Sequence, residues 1–255
     1  IRASNVRPGA SSRPACGQRV DASARVETGR FSILSLFFPL FQYRSIILAV
    51  RSRYDDLAPT MNFLGHCLFS DDTPAALAGS LWPDFARRPE PSTCSAGFLQ
   101  HFDRHQWIDK TTDHHPLLEP LRIELRPVFR KTTPIVIDMM LDHHLAQHWA
   151  RYHALALPAF AENAYHQLQR FDELTWSPRF ERTLFWMTQQ DWFVSYASSV
   201  GIQQALSGMA KRIRFDNPMV EHSLVAVHQT NLFVDTLDLF IEHLLTQTRT
   251  HETPE

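Results

Sequence analysis

Two stretches of the chain place metal-type side chains at helical spacing. In residues 134–149, PIVIDMMLDHHLAQHW, Ile135, Asp138, Asp142, Leu145 and Trp149 share one narrow face at about 100° per residue. Three of these are large and apolar and call for the interior, so the two carboxylates go inward with them. A buried carboxylate is costly unless it is paired or bound to a cation. His143 follows Asp142 directly and forms an Asp-His dyad, while His144 and His148 make a second i,i+4 pair rotated away.

The second stretch is 98–113, FLQHFDRHQWIDKTTD. Phe98, His101, Phe102, His105, Asp109 and Thr112 lie along one stripe. His105 and Asp109 are one turn apart, and Asp113 is one turn further. Taken singly, each such residue reads as a hydrogen-bonded core group or as half of an ion pair, for example Asp109 with Arg104. Two helices that both turn His and Asp inward are a familiar way to build a metal site in a bundle. A shell of carboxylates and imidazoles suits Mn²⁺, Fe²⁺ or Mg²⁺.

The elements that must position these residues read as helices throughout 61–255. Thr73-Pro74, His115-Pro116, Thr133-Pro134, Ser177-Pro178 and Asn217-Pro218 each put Pro where a first-turn N–H needs no partner. Thr73, Thr133, Ser177 and Asn217 are the expected N-caps, and His114-His115 marks a helix end. The last segment, 218–247, carries Val220, Leu224, Val227, Phe233, Leu237, Phe240 and Leu244 at three- and four-residue steps. No run alternates with period two. The fold expected is all-α, a compact single domain of about seven to eight helices with mostly antiparallel neighbours.

Several function classes are excluded. H-E-x-x-H and E-x-x-H are absent, which disfavours zincin proteases and ferritin-like di-iron sites. No G-x-G-x-x-G, Walker-type loop or G-x-S-x-G occurs. A net charge of −2 excludes a broadly basic nucleic-acid binder. Cys16, Cys67 and Cys94 form neither a C-x-x-C nor a disulfide framework, which fits a reducing compartment.

Residues 1–60 differ from the rest. They hold 9 Arg, 4 acidic residues and no His, whereas residues 61–255 hold all 14 His and an excess of acid. The apolar run 31–50 is interrupted by Pro39 and Arg44, which argues against a membrane helix of about 20 residues. We expect 1–60 to be a disordered or non-native extension and 61–255 to be the functional domain.

With these residues in view, the chain resembles the acyl carrier protein phosphodiesterases. The likeness runs through MNFLGH (61–66), Gly79-Ser-Leu-Trp-Pro-Asp84-Phe85 and His105-x-x-Ile108-Asp109-x-x-Thr112-Asp113-x-His115-Pro116. It continues through Asp138-Met-Met-x-Asp142-His143-x-Leu145-x-x-His148-Trp149, Leu206-Ser-Gly208-Met209-Ala210 and Arg212. Gln106 stands where the family usually has Arg, and Thr111 replaces its usual aromatic. The resemblance implies a divergent HD-type metal phosphohydrolase. Its reaction would release 4′-phosphopantetheine from holo-acyl carrier protein in the cytoplasm, with Mn²⁺ as the preferred metal.

On this reading His66, Asp84, His105, Asp109, Asp142 and His143 form the metal and water-activating set. Asp142, His143, Asp109 and Asp138 are the catalytic candidates, with Asp113 and Asp138 also able to orient ligands. Lys211, Arg212 and Arg214 are candidates for phosphate. Arg122, Arg126, Arg130 and Lys131 are candidates for docking the acidic carrier, although Pro127 is expected to disturb a helix there. His148 and Trp149 are read as packing. No nucleic-acid partner and no membrane span are expected. The alternatives are an HD-type phosphohydrolase acting on a nucleotide or small phosphoester, and a non-catalytic helical metal-binding protein.

Overall fold

The computed structural model describes residues 62–250. The extension expected over 1–60, with its apolar run, lies outside the described residues. Among the described residues the fold is all-α, with no strand. The helices are α1 Phe63–Leu68, α2 Pro74–Leu81, α3 Ala96–His114, α4 Glu119–Phe129, α5 Thr133–His148 and α6 Leu157–Arg170. They continue as α7 Pro178–Gln190, α8 Trp192–Ser195, α9 Ser199–Ala210, α10 Ser223–Leu232 and α11 Val234–Thr250. Short 3-10 turns link several of them, including Trp82–Asp84 after α2. None is long and apolar enough to cross a membrane.

Helix α5 is the axis of the fold. It is buried almost all round, from Val136 to Ala146, and it touches α1, α4, α8, α9, α10 and α11. A helix apolar on every face belongs in the centre of a protein, and its polar exceptions, Asp142, His143 and His144, go there with it.

Helix α3 turns the predicted stripe inward: Phe98, His101, Phe102, His105 and Thr112 are all buried. Helix α2 packs tightly on α3, and Gly79 permits it. A Cβ at that position would stand 2.2 Å from the Phe98 carbonyl oxygen. The same approach carries the Ser80 carbonyl to His105. An aromatic cluster of Trp82, Phe98, Phe171 and Trp176 then anchors the turn that ends in Asp84.

Thr73 and Ser177 cap α2 and α7 as expected, accepting from Ala76 N and Phe180 N at 3.2 Å each. Two other expected caps do not form. Thr133 lies inside α5 and donates to the Arg130 carbonyl. Asn217 donates to the carbonyls of Ala210 and Phe215, closing the loop after α9. The segment 218–247 is therefore not one helix. The α-helix begins at Ser223 and bends at Phe233, and Val220 and Leu224 are exposed. Leu237, Phe240 and Leu244 do join the core.

Candidate metal centre

Three side chains from two helices meet at the junction of α1 and α3. His66 on α1 and His105 on α3 stack with ring centroids 3.7 Å apart and planes 12° from parallel. Asp109, one turn beyond His105, reaches both rings. Its Oδ1 lies 3.1 Å from His66 Nε2 and its Oδ2 lies 3.0 Å from His105 Nε2. Both histidines are buried. One donor atom from each of the three residues falls within 4.8 Å of the others. Donors about 2.0–2.2 Å from one cation lie at most about 4.4 Å apart, and the contacts of Asp109 with the two rings, at 3.1 and 3.0 Å, are inside that limit.

The tautomer of His105 is set from behind. Its Nδ1–H donates to the Ser80 carbonyl at 2.6 Å, so Nε2 is the ring nitrogen that faces Asp109 and Asp84 and is left to bind a proton or a cation. Asp84 Oδ1 stands 3.8 Å from that Nε2. His66 has no such support: neither ring nitrogen has a hydrogen-bond partner, because the close Asp109 oxygen is poorly aligned for one. Buried ring nitrogens are seldom left so, and a cation is a natural acceptor of their lone pairs.

Charge points the same way. Burial, then the charge of His105, pushes the His66 pKa down to about 4, with Asp109 opposing. Burial also lowers that of His105, but the hydrogen bond to Asp109 and the charges of Asp84 and Asp109 outweigh it and raise it. Asp138 is pushed well above the carboxylate range by burial and by Asp109, Asp113, Asp142 and Asp84. Several carboxylates converging on one partly dry region repel one another until a cation joins them. The donor set therefore fits a divalent ion.

Two predicted ligands face elsewhere. Asp142 accepts from the backbone N–H of Gly65 at 2.8 Å and of Leu64 at 3.2 Å. It thus caps α1, whose own N-cap residue, Asn62, makes no side-chain cap. Burial pushes the Asp142 pKa up to about 8 against those two donors. His143, one residue on and rotated by about 100°, donates Nδ1–H to the Tyr196 carbonyl at 2.6 Å. Its Nε2 is buried and has no hydrogen-bond partner, and it lies outside the three-residue cluster. The sequential dyad is split between two neighbours of α5.

The remaining candidates separate by burial. Asp113 is exposed at the rim. His148 is half-buried with its ring 4.6 Å from that of His144, and Trp149 is core, donating to the Leu155 carbonyl. Arg122 is buried and bonded to Glu119 and to the carbonyls of Thr112 and His115. It ties α4 to the end of α3, whereas Arg126, Arg130 and Lys131 are exposed. Helix α4 runs through Pro127 to Phe129, and Arg130 ends it with φ 51°. Lys211 and Arg214 are exposed, and Arg212 is half-buried.

One basic residue was not foreseen. Arg179, in the first turn of α7, donates Nη1–H to the Asp84 carbonyl at 2.8 Å and lies 5.0 Å over the Phe85 ring. Its only local signal is the Ser-Pro cap before it, which says nothing of Asp84. A surface groove between α6 and α7 contains none of the metal-centre residues.

Fold and site together define an all-α protein with a buried His-Asp centre able to hold a divalent ion. The chain belongs to the acyl carrier protein phosphodiesterase family, an enzyme family whose pattern matches residues 61–247. It is 31% identical to an acyl carrier protein phosphodiesterase of Photorhabdus laumondii over 154 residues, 60% of this chain and 77% of that relative. Those of Yersinia pestis and Escherichia coli O45:K1 are 32% and 31% identical, each with 79% of the relative covered. No solved structure matches the chain.

Proposed function

We propose that this protein is a metal-dependent phosphodiesterase that hydrolyses holo-acyl carrier protein to the apo form and 4′-phosphopantetheine. The observation that carries the reading is the His66–His105–Asp109 cluster beside Asp84, in a chain of this family.

His66, His105 and Asp109 would hold the ion, with Asp84 and Asp138 close by. Carboxylates and imidazoles favour Mn²⁺, with Mg²⁺ or Fe²⁺ as related choices. When bound, such an ion neutralises charge on the phosphodiester and acidifies a water. The protein does the rest. Ser80 keeps the proton of His105 on Nδ1, away from the reacting centre. Asp142 seats α1 and hence His66. Asp138, on the central helix and electrostatically coupled to Asp109, would take the proton from the attacking water once a bound cation favours its ionised form. Water oxygen would bond to phosphorus, the bond from phosphorus to the carrier's serine oxygen would break, and that oxygen would leave with the proton that Asp138 took from the water.

The deciding experiment incubates purified protein with Mn²⁺ and holo-acyl carrier protein and weighs the product. The carrier should become lighter by one phosphopantetheine, and Asp109→Asn should abolish the change. Unchanged carrier mass with hydrolysis of a nucleotide would point to a small-molecule phosphohydrolase. Tight Mn²⁺ binding with no phosphoester turned over would point to a non-catalytic metal-binding protein.

A further inference from the structure

Asp84 stands at the edge of the metal centre. Its Oδ1 is 3.8 Å from His105 Nε2, inside the roughly 4.4 Å that two donors of one cation can span. It is nonetheless not among the three residues whose donor atoms all lie within 4.8 Å of one another. A small displacement of its turn therefore decides whether Asp84 shares an ion held by His66, His105 and Asp109. We propose that Arg179 is the positioning residue that fixes this turn, and with it the reach of the Asp84 carboxylate to the ion. The inference rests on the metal-centre reading above and adds to it a residue from α7.

The turn has to be held from outside. It is a 3-10 piece of three residues, Trp82–Asp84, with Pro83 at its middle. Phe85 N and Ala86 N both donate to the Trp82 carbonyl, at 2.9 and 3.0 Å. The Asp84 carbonyl lies past these bonds, where a short helix leaves its last carbonyls to other donors. Arg179 Nη1–H donates to it at 2.8 Å. A charged donor makes roughly twice as strong a bond as a neutral one. Carbonyl and carboxylate of Asp84 leave the same Cα, so what fixes the one limits the other.

Arg179 is itself held in place. Its guanidinium lies 5.0 Å over the Phe85 ring. Phe85 stacks on Phe63 of α1 with centroids 5.9 Å apart and meets Phe180 edge-on at 4.8 Å. Phe180 stacks on Trp176 at 3.5 Å, and Trp176 lies 5.0 Å from Trp82. The start of α7 thus grips the turn at both ends, with Trp176 at Trp82 and with Arg179 and Phe180 at Asp84-Phe85. Phe63 extends the grip to the helix that carries His66. A planar guanidinium can stack over a ring while an N–H in its own plane reaches a carbonyl, which the point-like ammonium of lysine does not match.

The test is a double-variant cycle on Mn²⁺ affinity, measured by calorimetry on protein first stripped with a chelator, with a urea midpoint recorded for each variant. Arg179→Gln should weaken Mn²⁺ about tenfold, the low end of what losing a partner behind a ligand costs. Asp84→Asn should weaken it by a similar factor or more. Adding Arg179→Gln to Asp84→Asn should cost nothing further, because both act through one donor. Arg179→Lys should fall between wild type and Arg179→Gln. Glu181→Gln, exposed in the same turn of α7, should leave the affinity unchanged. The same cycle run with Arg179→Lys carries the test should Arg179→Gln fold poorly.

Losses that add in the double variant would make Arg179 a general support of the fold and overturn the proposal. Wild-type Mn²⁺ affinity in a folded Arg179→Gln protein would overturn it too, and a raised KM for the carrier in that protein would make Arg179 a ligand of the substrate instead. The mass of the carrier judges hydrolysis separately. Coupled losses in the cycle with the carrier left intact would uphold the role of Arg179 and overturn the hydrolytic reading.

Discussion

Asp142 accepts the backbone N–H of Gly65 at 2.8 Å, so a carboxylate of the central helix caps the short helix that carries His66. Gly65 makes this possible, because a Cβ there would already press to 3.3 Å from the same oxygen. The residue that the sequence marks as a metal ligand thus seats the helix of a candidate one, His66. Asp142→Ala leaves two buried donors without acceptors and should cost about 1–3 kcal/mol. Urea unfolding should show that loss, and calorimetry should show weaker Mn²⁺ binding as His66 loosens. Asp142→Asn keeps one acceptor and should do less of both. Lost metal binding at an unchanged unfolding midpoint would instead make Asp142 a ligand.

Asp138 stands among four other carboxylates. Folding forces the Asp138 carboxyl to take up a proton that the unfolded chain would release near neutral pH; Asp138→Asn removes that cost, so the metal-free protein should gain stability, by roughly 1 kcal/mol. Affinity for Mn²⁺ should fall at the same time. Thermal melts with and without a chelator test both arms. In the wild type, Mn²⁺ should raise Tm and a chelator should reverse the rise; in Asp138→Asn the gap between the two melts should shrink.

The basic stripe of α4 should divide by function. Arg122 holds the carbonyls of Thr112 and His115, so Arg122→Glu should destabilise the fold by about 3 kcal/mol, the scale for breaking a buried charge network. Arg126→Glu with Arg130→Glu touches exposed groups and should leave the unfolding midpoint within about 0.5 kcal/mol. If that face docks an acidic carrier, the double variant should raise KM for the protein substrate at low salt, and the gap from wild type should close as salt rises. Equal KM values at low salt would remove this face from docking.

A second polar cluster ties α5 to α11. His144 Nε2 lies 2.6 Å from Asp238 Oδ1, and Tyr152 and Arg151 also bond Asp238. Burial lowers the His144 pKa despite Asp238. Burial raises that of Asp238, but hydrogen bonds from Tyr152 and His144 outweigh it and leave it below the ordinary value. Both signs agree: the unfolded chain binds more protons than the folded one. The His144 contribution should fade as pH falls below about 6.5, and that of Asp238 as pH falls below about 3.8. Urea unfolding at pH 7 and pH 5 should show wild type losing stability. Asp238→Asn should cost about 1–3 kcal/mol at pH 7.

The all-helical class, the inward stripe of α3 and the burial of Asp142 and His143 were legible in the sequence. Helical periodicity is local: about 100° per residue fixes which side chains share a face whatever the tertiary fold. Family motifs added the order of the site residues, His66 to Asp84 to His105 and Asp109. Asn217-Pro218 misled because a cap is defined by what its side chain bonds, and Asn217 bonds the end of α9 instead.

What lies opposite each face was decided only by packing. Periodicity sends Asp142 inward but cannot say whether it meets a cation or the N–H groups of α1; the approach at Gly65 settles its partner. The same holds for Arg122, which reads as one of an exposed row until α4 folds against the end of α3. Arg179 reaches Asp84 across 95 residues, and His144 reaches Asp238 across 94. A sequence encodes which groups need partners, because burial makes an unsatisfied polar group costly; the angle and register of the helices choose those partners.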